Sequence, residues 1–155
     1  MLYIDFVTYS GWYKDGLTQS EFDNLAWEAS RLLDIYTTGI DNVRKLSAAA
    51  PTDEYTAESV KHCAAKIISL LYEVEQAGKS VSREDGTVHG RVISSVSSGS
   101  ESISYAASDG LAQRILSGEV DREAAVYKIV KQFLSGLTDA NGVNLLYMGR
   151  YPHVL

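Results

Sequence analysis

The sequence predicts a mainly α protein, a small helical bundle with three to four principal helices and an inserted β-hairpin or extended loop. Apolar residues recur at alternating spacings of four and three residues in three long segments, which is the period of an amphipathic helix. Between the second and third segments the helical period is lost, and a Ser- and Gly-rich stretch alternates in the manner of β-strands. The helices are expected at about residues 18–36, 53–77 and 121–136, and the hairpin at about 88–105.

The central helix has the widest apolar face and is therefore expected in the middle of the bundle. Gly78 is expected to end it, because glycine readily adopts the left-handed conformation that follows many helix C-termini. The apolar positions of this helix are Val60, Ala64, Ile67, Leu71 and Val74, with Cys63, Ile68 and Leu70 beside them.

The other two long helices carry local start signals. Thr18 followed by Glu21 is a capping-box signature, and Asp121 is placed to cap the last helix. Residues 1–17 are aromatic and turn-rich, and we interpret them as a lead-in that packs its aromatic side chains on the bundle. Near the other end of the chain, residues 141–142 (Asn-Gly) predict a turn.

Trp27 breaks the pattern of the first long helix, because it lies opposite the apolar stripe among polar residues. Two interpretations stay open. A single exposed aromatic residue is common on protein surfaces. Aromatic residues on polar faces are also enriched where partners dock, and in that case Trp27 contacts another subunit.

The predicted hairpin carries few apolar side chains, and an isolated hairpin is only marginally stable in water. It therefore lies either on the bundle or against another chain, which would supply the missing partner surface. The hypothesis of a subunit interface assigns to it, together with Trp27, the side chains Val92, Val96, Ile103 and Tyr105.

The last segment, residues 143–155, ends in an apolar and aromatic tail. Chain ends are usually polar and loose, so we expect this tail to dock on another protein. The hypothetical docking residues are Tyr147, Arg150, Tyr151, His153, Val154 and Leu155.

Length and composition fit one soluble domain spanning residues 1–155. The formal net charge of −6 argues against a protein whose main task is to wrap nucleic acid. A single cysteine, Cys63, excludes an internal disulfide, and its place in the apolar face predicts a buried, inert thiol. Neither a signal peptide nor a transmembrane helix is expected.

No catalytic, cofactor-binding or metal site is predicted. The three histidines, His62, His89 and His153, have no ligand spacing among themselves or with Cys63. The sequence contains neither a Gly-rich phosphate loop ending in Lys-Ser/Thr nor a Gly-x-Ser-x-Gly motif. An enzyme would need a deep pocket that joins His62 or His89 to two carboxylates.

The order and spacing of four segments resemble the head–tail connector proteins (adaptor or head-completion proteins) of long-tailed bacteriophages and prophages. Together these segments cover most of the chain, although residues 79–100 are longer and richer in Ser than is usual for that family. The segments are FDNLAWEASRLLDIYTTG, VKHCAAKIISLLYEVEQ, ISSVSSGSESISY and YMGRYPHV.

The resemblance implies a structural subunit without catalysis or cofactors that forms a ring, expected to be a dodecamer, between the portal and the tail. Such a ring would extend the DNA channel and dock the tail. Its partners would be its own copies, the portal protein and a tail-side neck or stopper protein. DNA would pass without sequence-specific binding, and no membrane would be involved. The expected location is the virion neck, or the host cytoplasm during assembly. The alternative is a small helical host regulator or adaptor protein without catalysis.

Overall fold

The structure, a computed structural model, describes residues 1–81, 92–96, 103–106 and 110–152. As the sequence predicted, the protein is mainly helical and fits a small helical bundle. Its elements are α1 (Phe6–Trp12), α2 (Gln19–Thr37), α3 (Lys45–Ala48), α4 (Glu54–Val81), β1 (Val92–Val96), β2 (Ile103–Ala106), α5 (Leu111–Leu116) and α6 (Arg122–Leu134).

The chain divides into two compact units, residues 1–69 with 123–155 and residues 70–122. The expectation of one domain over residues 1–155 stays a prediction. None of the helices in the described ranges combines the length and the apolar character needed to cross a lipid bilayer.

In the first unit, α2 begins at the predicted capping box. The Glu21 amide donates to the Thr18 hydroxyl at 3.4 Å, and the Thr18 amide donates to the Glu21 carboxylate at 3.1 Å. The buried face of α2 has the predicted period and carries Phe22, Leu25, Ala26, Ala29 and Leu33.

Residues 6–12 form a helix, α1, where the sequence predicted only a turn-rich lead-in. The Asp5 carboxylate caps it by accepting hydrogen bonds from the Thr8 amide at 2.9 Å and the Thr8 hydroxyl at 2.8 Å. Tyr9 is fully buried, and its ring centroid lies 5.5 Å from that of Phe22. The lead-in therefore packs its aromatic residues on α2, and this packing stabilises a helix too short to persist alone.

The predicted central helix corresponds to α4, but the expectation that Gly78 ends it is wrong, because the helix continues to Val81. A Cβ built on Gly78 would stand 3.7 Å from the Leu116 Cδ1 atom of α5. Within the second unit, a side chain at position 78 would thus be in ordinary van der Waals contact with α5, and Gly78 does not adopt the left-handed conformation.

The last long helix, α6, begins directly after Asp121. It packs on α2 in the first unit, where the Tyr36 hydroxyl donates to the Glu123 carbonyl at 3.1 Å and the Tyr36 and Tyr127 ring centroids lie 5.4 Å apart. Its buried residues include Val126, Ile129, Val130 and Leu134.

Helices α2 and α6 are followed by two loops of the same design, which we call the bridge loops (residues 38–44 and 138–144). Each is closed by an isolated antiparallel β-bridge, Thr38 to Arg44 in the first loop and Thr138 to Asn144 in the second. Each has one residue with positive φ, Asn42 at 60° and Gly142 at 77°. The amide of that residue donates to the carbonyl three residues earlier at 3.0 Å in both loops. The predicted turn at residues 141–142 is confirmed.

In the second unit, β1 and β2 pair antiparallel, with Val92 opposite Ala106 and Val96 opposite Ile103. The register shifts between Ile93 and Ser95. Residues 97–102, which would form the turn, lie outside the described residues. The inserted hairpin and the interface role of Val92, Val96, Ile103 and Tyr105 therefore stay predictions.

Candidate interaction surface

Trp27 projects away from the buried face of α2, and 62% of it is exposed to solvent. The helical projection that placed it opposite the apolar stripe is confirmed. Two turns further along the same helix, Ile35 is also 51% exposed. Trp27 is therefore part of a larger exposed apolar surface, and its role in a subunit contact stays a prediction.

An open groove of about 830 Å³ runs beside Trp27, and we call it the Trp27 groove. The Arg31 guanidinium carbon lies 5.9 Å from the Trp27 ring centroid, within the range of a cation–π interaction. The groove combines apolar and cationic side chains, and those that matter for its chemistry are Met1, Trp27, Arg31, Asp34, Ile35 and Arg44.

The two cations of the Trp27 groove, Arg31 and Arg44, form no ion pair with any described residue. The acidic residue of the groove, Asp34, accepts a hydrogen bond from the Tyr3 hydroxyl at 2.5 Å. Burial, together with Asp34, raises the pKa of the Tyr3 hydroxyl above its usual range, so the proton stays on the tyrosine. The groove therefore has a local excess of positive charge in a chain of net charge −6.

The second feature of the surface is residues 145–151, which we call the C-terminal strap. The Lys45 side chain is fully buried beneath it, and its ammonium group donates to the carbonyls of Leu145, at 3.1 Å, and Tyr147. Burial lowers the pKa of Lys45, while the charges of Asp139 and Asp41 oppose that shift. The strap is thus fastened by a cation whose desolvation is offset by backbone carbonyls.

Further contacts hold the strap on the first bridge loop. The Ile40 amide donates to the Met148 carbonyl at 3.1 Å. A Cβ on Gly39 would stand only 2.5 Å from the Gly149 carbonyl oxygen, so the two backbones can approach this closely only because residue 39 is glycine.

Tyr151 connects the strap to both bridge loops. Its amide donates to the Asp41 carboxylate at 2.7 Å, and its hydroxyl donates to the Asp139 carboxylate at 2.6 Å. Asp139 is buried and also accepts from the Val143 amide at 2.9 Å. Burial, followed by the bond to Asp139, raises the pKa of Tyr151.

Its own chain thus binds both the amide and the hydroxyl of Tyr151, and the hypothesis that Tyr151 docks on another protein stays a prediction. Tyr147 and Arg150 are exposed on the strap, and their docking role stays a prediction. The other docking candidates, His153, Val154 and Leu155, lie outside the described residues.

Sequence analysis missed both Lys45 and Asp139. For Asp139 a local signal exists, since an aspartate two residues before an Asn-Gly pair favours an Asx turn. For Lys45 there is none, because its partners lie 100 and 102 residues away in the sequence.

The lowered pKa of Lys45 gives a prediction about pH. The unfolded state holds this proton up to the ordinary pKa of 10.5, whereas the folded state releases it earlier, so unfolding takes up a proton in that window. The contribution of Lys45 to stability should therefore rise as pH rises toward 10.5. In urea titrations, the free energy of unfolding of the wild type minus that of Lys45→Met should increase between neutral and alkaline pH. A constant or decreasing difference would contradict this.

Cys63 is buried, and burial raises the pKa of its thiol from 9.0 to about 12. At pH values below 9 the thiolate fraction of the folded protein should be about 1000-fold lower than that of an exposed thiol. We expect an aromatic disulfide reagent to label Cys63 only at the rate at which the protein unfolds, with urea restoring full reactivity. Rapid labelling of the native protein would show that the thiol is accessible.

The described residues contain no group of three or more His, Cys, Asp or Glu that could hold a metal ion. His62 is exposed and stacks on Trp12, with ring centroids 3.9 Å apart and planes inclined by 12°. His89 and His153 lie outside the described residues. Comparisons with protein-family models, with curated proteins and with solved structures find no match to this chain.

Proposed function

We propose that this protein is a structural subunit of the head–tail connector kind, which forms a ring between portal and tail, extends the DNA channel and docks the tail without catalysing a reaction. The observation that carries the proposal is the Trp27 groove, where an exposed Trp lies beside Arg31 on a polar helix face. Trp and Arg are among the residues most enriched in the energetic centres of protein interfaces. The resemblance of four segments to the connector family supports the same function.

A second apolar patch supports contacts with a further partner. The patch consists of Ile40, which is 75% exposed, and the exposed strap residues Tyr147 and Met148. The hydrogen bond from the Ile40 amide to the Met148 carbonyl holds Ile40 beside the strap. Because Lys45 and the bridge loops hold the strap in place, this patch is ordered before any partner arrives, which lowers the entropic cost of binding. We assign this patch to the portal or to the tail-side neck protein.

Assembly with portal rings tests the proposal. The chain should sediment alone as a small species or a ring, and with portal rings from the same genome as a larger complex whose added ring is visible by electron microscopy. Trp27→Ala should weaken this assembly by about 30-fold. Val7→Ala, which truncates an exposed apolar side chain outside the groove, is the control and should leave assembly unchanged.

Two results would oppose the proposal. If the protein stays a monomer or dimer at every concentration and never binds portal rings, the connector function is wrong and the alternative of a small helical regulator or adaptor protein is favoured. If Trp27→Ala assembles as well as the wild type, the Trp27 groove plays no part in assembly.

A further inference from the structure

A second exposed feature on the same chain complements the Trp27 groove. Tyr55, in the first turn of α4, is 73% exposed, and the two residues before it, Asp53 and Glu54, are both acidic and exposed. We call these three residues the Tyr55 ridge. The Asp53 carboxylate caps α4 by accepting a hydrogen bond from the Thr56 amide at 2.8 Å, so the ridge is a fixed part of the helix start.

The ridge and the groove are opposite in charge and alike in their apolar content. The groove offers Trp27 and Ile35 beside two guanidinium groups that lack an ion pair among the described residues. The ridge offers one aromatic ring beside carboxylates. In a chain of net charge −6, most surfaces of two copies repel each other, so an acidic ridge and a cationic groove favour one relative orientation.

Size and exposure fit as well. A groove of about 830 Å³ has ample room for a tyrosine side chain. Both Trp27 and Tyr55 are mostly exposed, which means that neither feature covers the other within one chain. Contact between the two features therefore requires two copies of the chain.

We propose that the Trp27 groove of one subunit receives the Tyr55 ridge of a second copy, with the Tyr55 ring against Trp27 and Ile35 and with Glu54 facing Arg31. Because two different patches meet, the contact is heterologous, and repetition leads to a ring or a filament instead of a closed two-fold dimer. The inference rests on the proposed function for its choice of partner, and it names the surfaces by which successive subunits join.

Two double variants isolate the two halves of this contact. The groove variant carries Trp27→Ala and Arg31→Ala, and the ridge variant carries Glu54→Ala and Tyr55→Ala. All four residues are exposed, so both proteins should fold, which circular dichroism and thermal melting can verify. Each variant alone should be monomeric, whereas an equimolar mixture should form heterodimers, because one intact ridge and one intact groove remain.

Isothermal titration of one variant into the other measures this contact without a portal ring. The ridge variant supplies the intact groove, and the groove variant supplies the intact ridge. Adding Arg31→Glu to the ridge variant should weaken their binding by at least about 30-fold. Adding Glu54→Lys to the groove variant should then restore part of the affinity, because the charges are exchanged. As a control, Glu75→Lys in the groove variant, in place of Glu54→Lys, makes the same change in charge elsewhere on α4 and should not restore affinity.

The outcomes separate the two proposals. If the mixed variants stay monomeric, or if the exchanged charges restore nothing, the groove–ridge contact is wrong, even where portal binding persists and supports the connector function. If the mixed variants form heterodimers but no complex with portal rings ever forms, the contact stands and the connector function is wrong.

Discussion

Replacing Gly39 with alanine is expected to lower the free energy of unfolding by about 3 kcal/mol. The new Cβ would stand 2.5 Å from the Gly149 carbonyl oxygen and 3.1 Å from the Asp41 carboxylate. The nearer atom belongs to the backbone and cannot rotate away, so the strap must move off the first bridge loop. That movement also strains the hydrogen bond from the Ile40 amide to the Met148 carbonyl. Urea denaturation followed by circular dichroism measures the loss.

Gly11→Ala is the matched control for this prediction. A Cβ on Gly11, which lies within α1, meets nothing within 4 Å. Alanine favours the helix over glycine, so this variant should be as stable as the wild type or more stable by up to about 1 kcal/mol. Equal stability of Gly39→Ala and the wild type would show that the strap does not lie against residue 39.

The second large effect is expected for Lys45→Met, which should destabilise the protein by about 2 kcal/mol at neutral pH. Methionine keeps most of the buried volume and removes the cost of burying a charge. It leaves the carbonyls of Leu145 and Tyr147 without their donor, however. We expect the free-energy cost of these unpaired carbonyls to exceed the gain from no longer burying a charge.

Hydrogen exchange should locate the effect of Lys45→Met. The Ile40 amide, which donates to the strap, and the Tyr151 amide, which donates to Asp41, should exchange faster, while amides of the α2 interior change only with global stability. Lys61→Met on the exposed face of α4 is the control and should shift stability by less than about 0.5 kcal/mol. Unchanged exchange at Ile40 would indicate that Lys45 does not fasten the strap.

The sequence predicts the long helices well because their signals are local and repeated. Apolar residues recur with the helical period over several turns, and the Thr18–Glu21 capping box marks the start of α2 within one residue. The same period places Trp27 on the exposed face. The exposure of Trp27 could therefore be predicted from the sequence. The contribution of Arg44 to the Trp27 groove could not, because Arg44 comes from a separate loop.

Most of the misses share a different cause, since they depend on contacts distant in sequence. Helix α1 is short and gains its stability from burying Tyr9 against α2. Gly78 stays helical, and the glycine alone does not end α4, which continues to Val81. Tyr151 reaches Asp41 across 110 residues, and Lys45 reaches Tyr147 across 102. The local sequence around Lys45 and Tyr151 gives no sign of these partners, which only the tertiary structure brings close.

The two bridge loops have a consequence for engineering. Because both loops close with the same bridge and place a left-handed residue at the same position, the residue at that position should be exchangeable between them, whereas Gly39 and Asp139 make contacts specific to each loop. Asn42 holds a left-handed conformation that Gly142 adopts without steric cost. Asn42→Gly would therefore place in the first loop the residue type that the second loop uses at this position. The protein thus contains its own template for redesigning the corner that follows α2.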